Sequence, residues 1–167
     1  MPDTTDIDGV APDSGATSGP AGPTPESERV VFARVSESGV SVEECAAAVE
    51  DAGSGAVVTF AGVVRDHDEG RGVVALSYSA HPSAAEVIRT VALEVARAHP
   101  AVRLAVAHRV GDLGIGDVAL ACAVASAHRA EAFAACAALV DEVKATVPIW
   151  KEQAFDDGTS EWVASLG

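Results

Sequence analysis

Two stretches, GAVVTFAGVVR at 55–65 and DVALACAVAS at 117–126, are short apolar runs with scarcely a polar residue between their ends. The first is dense in β-branched side chains, and neither has a polar face. Both therefore read as buried strands, and the fold has to be built around them. Other segments fill in the pattern. VVFARVS (30–36), VVALSYSA (73–80) and VRLAVAHRV (102–110) read as further strands. SVEECAAAVEDAG (41–53) reads as a short helix, with Ser41 and Glu44 as a capping box and Gly53 able to end it. PSAAEVIRTVALEVARAH (82–99) reads as an amphipathic helix with a second box at Ser83 and Glu86, stopped by Pro100. AHRAEAFAACAALVDEVKATV (127–147) reads as a third helix, N-capped by Ser126 and ended by Pro148. DHDEGRG (66–72) and GDLGIGD (111–117) are turns, and extended pieces follow around 149–155 and 162–163. The order βαββαββαβ predicts an α+β layer, with helices packed on one face of a mainly antiparallel sheet.

Aromatic residues make up only 4% of the chain, so the core must be built from Ala, Val and Leu. Residues 1–28 carry five of the eight prolines and six acidic residues without one basic residue. Such a segment buries too little apolar surface to offset its ordering entropy, so 1–28 is expected to be a disordered acidic tail ahead of one domain at 29–167. The net charge of −14 disfavours nucleic acid and anionic membranes as partners. No apolar run is long enough to span a bilayer, and the acidic N-terminus does not read as a signal peptide. Cys45, Cys122 and Cys136 lack metal-ligand spacing and read as buried thiols. A reducing, cytoplasmic setting is expected.

The cations are unevenly spent. Lys144 and Lys151 are the only lysines, against nine arginines, and they flank a Val-Pro-Ile-Trp step. Lys144 falls in the last turn of a helix, where a cation is also simply favourable. Lys151 follows Trp150 in an extended piece. Neighbours on a strand point to opposite faces, so Trp150 is expected to pack on the core and Lys151 to face a cleft. A lysine beside apolar bulk is a usable proton-transfer group or nucleophile. His128 and Arg129 open a helix, where cations oppose the macrodipole unless an anionic ligand offsets them. Arg65 ends a buried strand before a glycine-containing loop. Asp66, His67 and Asp68 are adjacent on a turn and converge poorly on one ion, so no metal is expected. His108 closes a strand and reads as a structural histidine.

Four blocks, GAVVTFAGVVRDHDEGR, VAHRVGDLGIGD, VASAHRAEAFAACAALVDEVKATVPIWKE and DGTSEWV, together resemble the catalytic (large) subunit of molybdopterin synthase, the MoaE family. The match runs in consistent order over about residues 30–164. The resemblance implies an α/β hammerhead fold with a small β-containing subdomain, and a homodimer within a heterotetramer. The implied partner is a small ubiquitin-like sulfur-carrier subunit whose C-terminal Gly-Gly thiocarboxylate enters a pocket of the large subunit. The implied substrate is cyclic pyranopterin monophosphate, converted to the molybdopterin dithiolene without metal or redox cofactor. On the same ground Lys144 and Lys151 match the catalytic lysines, and Arg65, His128 and Arg129 match the positions that bind the substrate phosphate. The family often has Asn where this chain has Asp66 and Asp68, and a basic residue where it has Glu161. A competing reading is a non-catalytic ferredoxin-like module that binds a ligand or partner, which needs no particular lysine.

Overall fold

A computed structural model describes residues 22–164. The expected tail over 1–28 lies mostly outside the described residues. Its last part is structured, because α1 (Glu26–Arg29) closes one helical turn ahead of β1 (Val30–Ser36). The buried Arg29 guanidinium donates to the carbonyls of Thr24, His99 and Val102, and Arg97 pairs with Glu26 at 3.0 Å. These bonds tie the entry of the domain to the end of a distant helix.

The chain then runs α2 (Val42–Ala48), β2 (Ala56–Val63), β3 (His67–Asp68), β4 (Arg71–Ala80), α3 (Ala84–Ala98), β5 (Val102–Arg109), β6 (Gly111–Leu113), β7 (Val118–Ser126), α4 (Arg129–Thr146), β8 (Ile149–Phe155) and β9 (Ser160–Ala164). One sheet has the order β1-β5-β7-β2, with only the β1–β5 pair parallel. A second sheet, of five strands, has the order β3-β4-β8-β9, with β6 also pairing β4. The α+β class and the small β-rich part agree with the sequence.

The alternation of side chains along each strand sets the two faces of the first sheet. Leu104, Val106, Leu120, Cys122 and Val124 face α3 and α4, which supply Ile88, Val91, Val95, Leu139 and Val143. Ala105, Ala107, Ala121, Ala123 and Ala125 face the other way, onto Cys45 of α2 and Val49, its C-cap. The two long helices thus share a face as expected, while short α2 covers the alanine face. Alanine at five neighbouring positions lets that helix sit close.

Two caps differ from the sequence reading. Ser83 sits in helical conformation and its hydroxyl is taken by His81 at 2.8 Å, so no box forms with Glu86. Ser126 is instead the last, buried residue of β7, and His128 takes the N-cap position of α4. At α2 the Ser41 hydroxyl does accept from the Glu44 N–H, at 3.2 Å. Among the described residues, no helix is long and apolar enough to cross a membrane.

Candidate functional site

A cleft of about 200 Å³ opens where the two sheets meet. Its walls come from the end of β2 and the following Val64 and Arg65, from β4 (Leu76, Tyr78), from the start of β7, and from β9. His67 of β3, His108 of β5, Lys144 of α4, and Lys151 and Gln153 of β8 complete it. Pro148 links two of these: it ends α4 just after Lys144, and the chain turns directly into β8, which carries Lys151.

Strand β8 alternates as its sequence demands. Ile149 and Phe155 are buried in line with Lys151 and Gln153. Trp150 lies on the opposite face and is 40% exposed, so it does not pack its ring on the core as expected. Lys151 does face the cleft. Register places it opposite Tyr78 on one side and Val163 on the other, while Gln153 lies opposite Leu76.

Behind the lysine stands Asp68. Its carboxylate accepts a hydrogen bond from Gln153 at 2.8 Å, pairs with Arg65 at 3.2 Å and lies 4.0 Å from the Lys151 ammonium. The Gln153 bond, followed by the charges of Lys151 and Arg65, holds the Asp68 carboxyl below the usual range. Asp66 is taken up by His67 at 2.7 Å. The DHD turn is thus spent on internal pairs, and among the described residues no three His, Cys, Asp or Glu side chains are placed to share a metal ion.

His108 is only 5% exposed, yet it lines the cleft. Its Nδ1 bonds the Arg109 carbonyl at 2.8 Å, and the Tyr78 ring meets it edge-on at 5.1 Å. Burial pushes its pKa down; the backbone bond opposes this and the charge of Lys144 adds to it. Burial likewise raises the Tyr78 phenol. From sequence His108 reads as structural rather than as part of the cleft wall, and Tyr78, Gln153 and the anchoring role of Asp68 carry no site signal there. Strand periodicity marks His108 and Gln153 only as inward-facing, and which buried polar groups share a cleft depends on the packing of the second sheet.

Of the five residues singled out from sequence, the fold brings Arg65, Lys144 and Lys151 together. His128 and Arg129 stand at the opposite end of α4. Fifteen residues of helix separate Arg129 from Lys144, about 22 Å along the axis. Within one copy of the chain, the two groups of cations do not form one site.

An α+β domain with lysines converging in a cleft between two sheets has the features of an enzyme that handles anionic groups. Comparison with known proteins agrees. The family model "MoaE protein" matches residues 35–146. The molybdopterin synthase catalytic subunit of Nostoc sp. is 41% identical over 127 residues, covering 75% of this chain and 77% of that one. Molybdopterin synthase catalytic subunit 1 of Mycobacterium tuberculosis is 42% identical over 135 residues, covering 79% and 90%. The Oryza sativa subsp. indica catalytic subunit is 47% identical over 111 residues, 66% of this chain and 58% of its own length. Among solved structures, molybdopterin synthase from Staphylococcus aureus superposes with a TM-score of 0.74 at 30% identity, covering 78% of this chain and 96% of that one. A Helicobacter pylori complex of subunits 1 and 2 of molybdopterin-converting factor shares the fold, with a TM-score of 0.59 at 21% identity over 81% and 90% of the two chains.

The chain belongs to the MoaE family, the catalytic subunits of molybdopterin synthase, an enzyme of molybdenum cofactor biosynthesis.

Proposed function

We propose that this chain transfers sulfur from the C-terminal thiocarboxylate of a small ubiquitin-like carrier subunit to cyclic pyranopterin monophosphate, and that the cleft between the sheets is where transfer occurs. The observation that carries this reading is the convergence of Lys144 and Lys151, the chain's only lysines, on one cleft from two different elements.

Lys144 holds the thiocarboxylate terminus by charge and orients its sulfur. Lys151, backed by Asp68, acts at the pterin, where negative charge develops as sulfur attacks. Arg65 is well exposed, and its guanidinium can exchange Asp68 for the substrate phosphate, which suits its fork geometry. The acyl link left after sulfur attack is then hydrolysed, which releases the carrier.

His128 and Arg129 reach such a site from a second copy of the chain. Among the described residues strand β2 is an open sheet edge, with Val57 and Val63 each 47% exposed, and Phe133 on α4 is 62% exposed. On α4, Arg129, Phe133, Val140 and Lys144 fall within about 60° of one another around the axis. A homodimer that covers this apolar flank joins the helix start of one copy to the cleft of the other.

Single-turnover reconstitution tests the reading. The protein is mixed with thiocarboxylated carrier and cyclic pyranopterin monophosphate, and molybdopterin is quantified as its oxidised fluorescent derivative. Product from wild type and none from Lys151→Ala is expected. Binding of the carrier without turnover by wild type would leave only the binding-module alternative.

A further inference from the structure

The sulfur-transfer reading gives no role to His108 of the cleft. His108 is nineteen-twentieths buried, yet it forms part of the wall that carries both lysines. Its tautomer is fixed by chemistry: the Arg109 carbonyl can only accept, so Nδ1 carries the proton in that 2.8 Å bond. A neutral imidazole has one N–H, so Nε2 holds a bare lone pair. Among the described residues Nε2 has no hydrogen-bond partner. Nor is it sealed in: among the described residues the buried unpartnered side-chain atoms are Arg103 Nε, Arg109 Nε and Ser126 Oγ.

We propose that His108 is the proton acceptor of the cleft, its Nε2 taking a proton from the water that hydrolyses the acyl link between carrier and intermediate. The proposal rests on the sulfur-transfer reading. The step balances without an oxidant or reductant. The water oxygen bonds to the acyl carbon as its proton passes to Nε2. The carbon–sulfur bond of the thioester breaks, and its electron pair stays on sulfur as the product thiolate. The carrier leaves as a carboxylate, and the imidazolium returns its proton to the thiolate or to solvent.

The surroundings suit this role. The other titratable and charged groups of the cleft are Arg65 after β2, His67 of β3, Tyr78 of β4, Lys144 of α4 and Lys151 of β8. Arg109, beside His108 on β5, is turned to Asp117 at 3.2 Å. A lysine ammonium and a guanidinium have only donors to offer. His67 is already paired with Asp66 on the exposed rim. Burial, aided by the charge of Lys144, keeps His108 neutral at pH 7, so its lone pair is available. Tyr78, edge-on at 81°, fixes the ring plane.

The variant to make is His108→Asn. Its amide nitrogen can replace Nδ1 as donor to Arg109, while nothing replaces Nε2. In the single-turnover assay carrier release slows about 100-fold, the size expected for loss of a general base. A covalent carrier–intermediate adduct then accumulates, visible by mass spectrometry and cleaved by hydroxylamine. Wild type loses rate on the acid side, below the ordinary imidazole range, and the variant lacks that limb. Release within about two-fold of wild type, with no adduct and an unchanged pH profile, would overturn the proposal. If the variant does not fold, ¹⁵N spectra of wild-type imidazole decide: an Nδ1–H tautomer supports the role and an Nε2–H tautomer refutes it. Absence of any product from wild type would instead remove the sulfur-transfer reading itself.

Discussion

Gln153 donates its amide hydrogen to Asp68 at 2.8 Å, joining residues 85 apart in sequence and tying β8 to the β3 turn. The glutamine is 3% exposed, so this bond satisfies a group that water cannot reach. Removing the acceptor should therefore cost more than removing the charge. Asp68→Ala leaves the amide unpaired, a loss of about 1–3 kcal/mol. Asp68→Asn keeps an acceptor oxygen in place and should cost less than about 1 kcal/mol. Urea unfolding midpoints of the two variants check this; equal losses would show that the hydrogen bond is not what the carboxylate contributes.

The same carboxylate gives stability a pH dependence. Its pKa is lowered in the folded state, first by Gln153 and then by Lys151 and Arg65. A lowered carboxyl contributes stability that is complete above its unfolded value and lost as pH falls through the folded one. Asp68→Asn should thus be less stable than wild type at pH 7, with the gap closing under acid below the ordinary carboxylate range. A gap that stays constant through that range would detach it from the ionisation of Asp68.

What the sequence made legible follows from which signals are local. The strands at 55–65 and 117–126 were readable because their apolar runs do not depend on their neighbours. Lys151 was readable as a cleft residue because alternation on a strand is set by the backbone. The same alternation allowed either face to be the core, so Trp150 was assigned the wrong one. Ser126 has the chemistry of an N-cap, but β7 continues through it in register with Ala56 and Val102, and the sheet prevails over the cap. His128 and Arg129 carry a strong local motif, yet α4 holds them a full helix length from the lysines. That separation is implied by the helix read over 127–147 with Lys144 in its last turn; the grouping of these residues comes from the family resemblance, which carries no distances within one copy.

Thiol reactivity tests the core. Cys45 is fully buried, and desolvation pushes its pKa up to about 11. Only a thiolate alkylates readily. Native protein at pH 8 should therefore leave Cys45 unmodified by iodoacetamide, while protein in denaturing urea labels fully. Mass spectrometry after tryptic digestion reads this site by site. Rapid labelling of Cys45 in the native state would show that the packing of α2 on the alanine face opens easily.

The last prediction addresses the distance between Arg129 and Lys151. If each site takes Arg129 from one copy and Lys151 from the other, neither Arg129→Ala nor Lys151→Ala alone has an intact site. A mixed dimer of the two variants does: the Lys151→Ala chain supplies Arg129, and the Arg129→Ala chain supplies Lys151. One of its two sites is whole, and the other lacks both residues. Co-refolding the two variants should therefore restore part of the wild-type single-turnover yield, although each alone is defective. Subunit exchange must occur for this to happen, so light scattering and a differently tagged pull-down establish that mixed dimers have formed. Mixed dimers without recovered product would mean that Arg129 does not complete the cleft of a second copy. The phosphate would then rest on Arg65 and the two lysines alone.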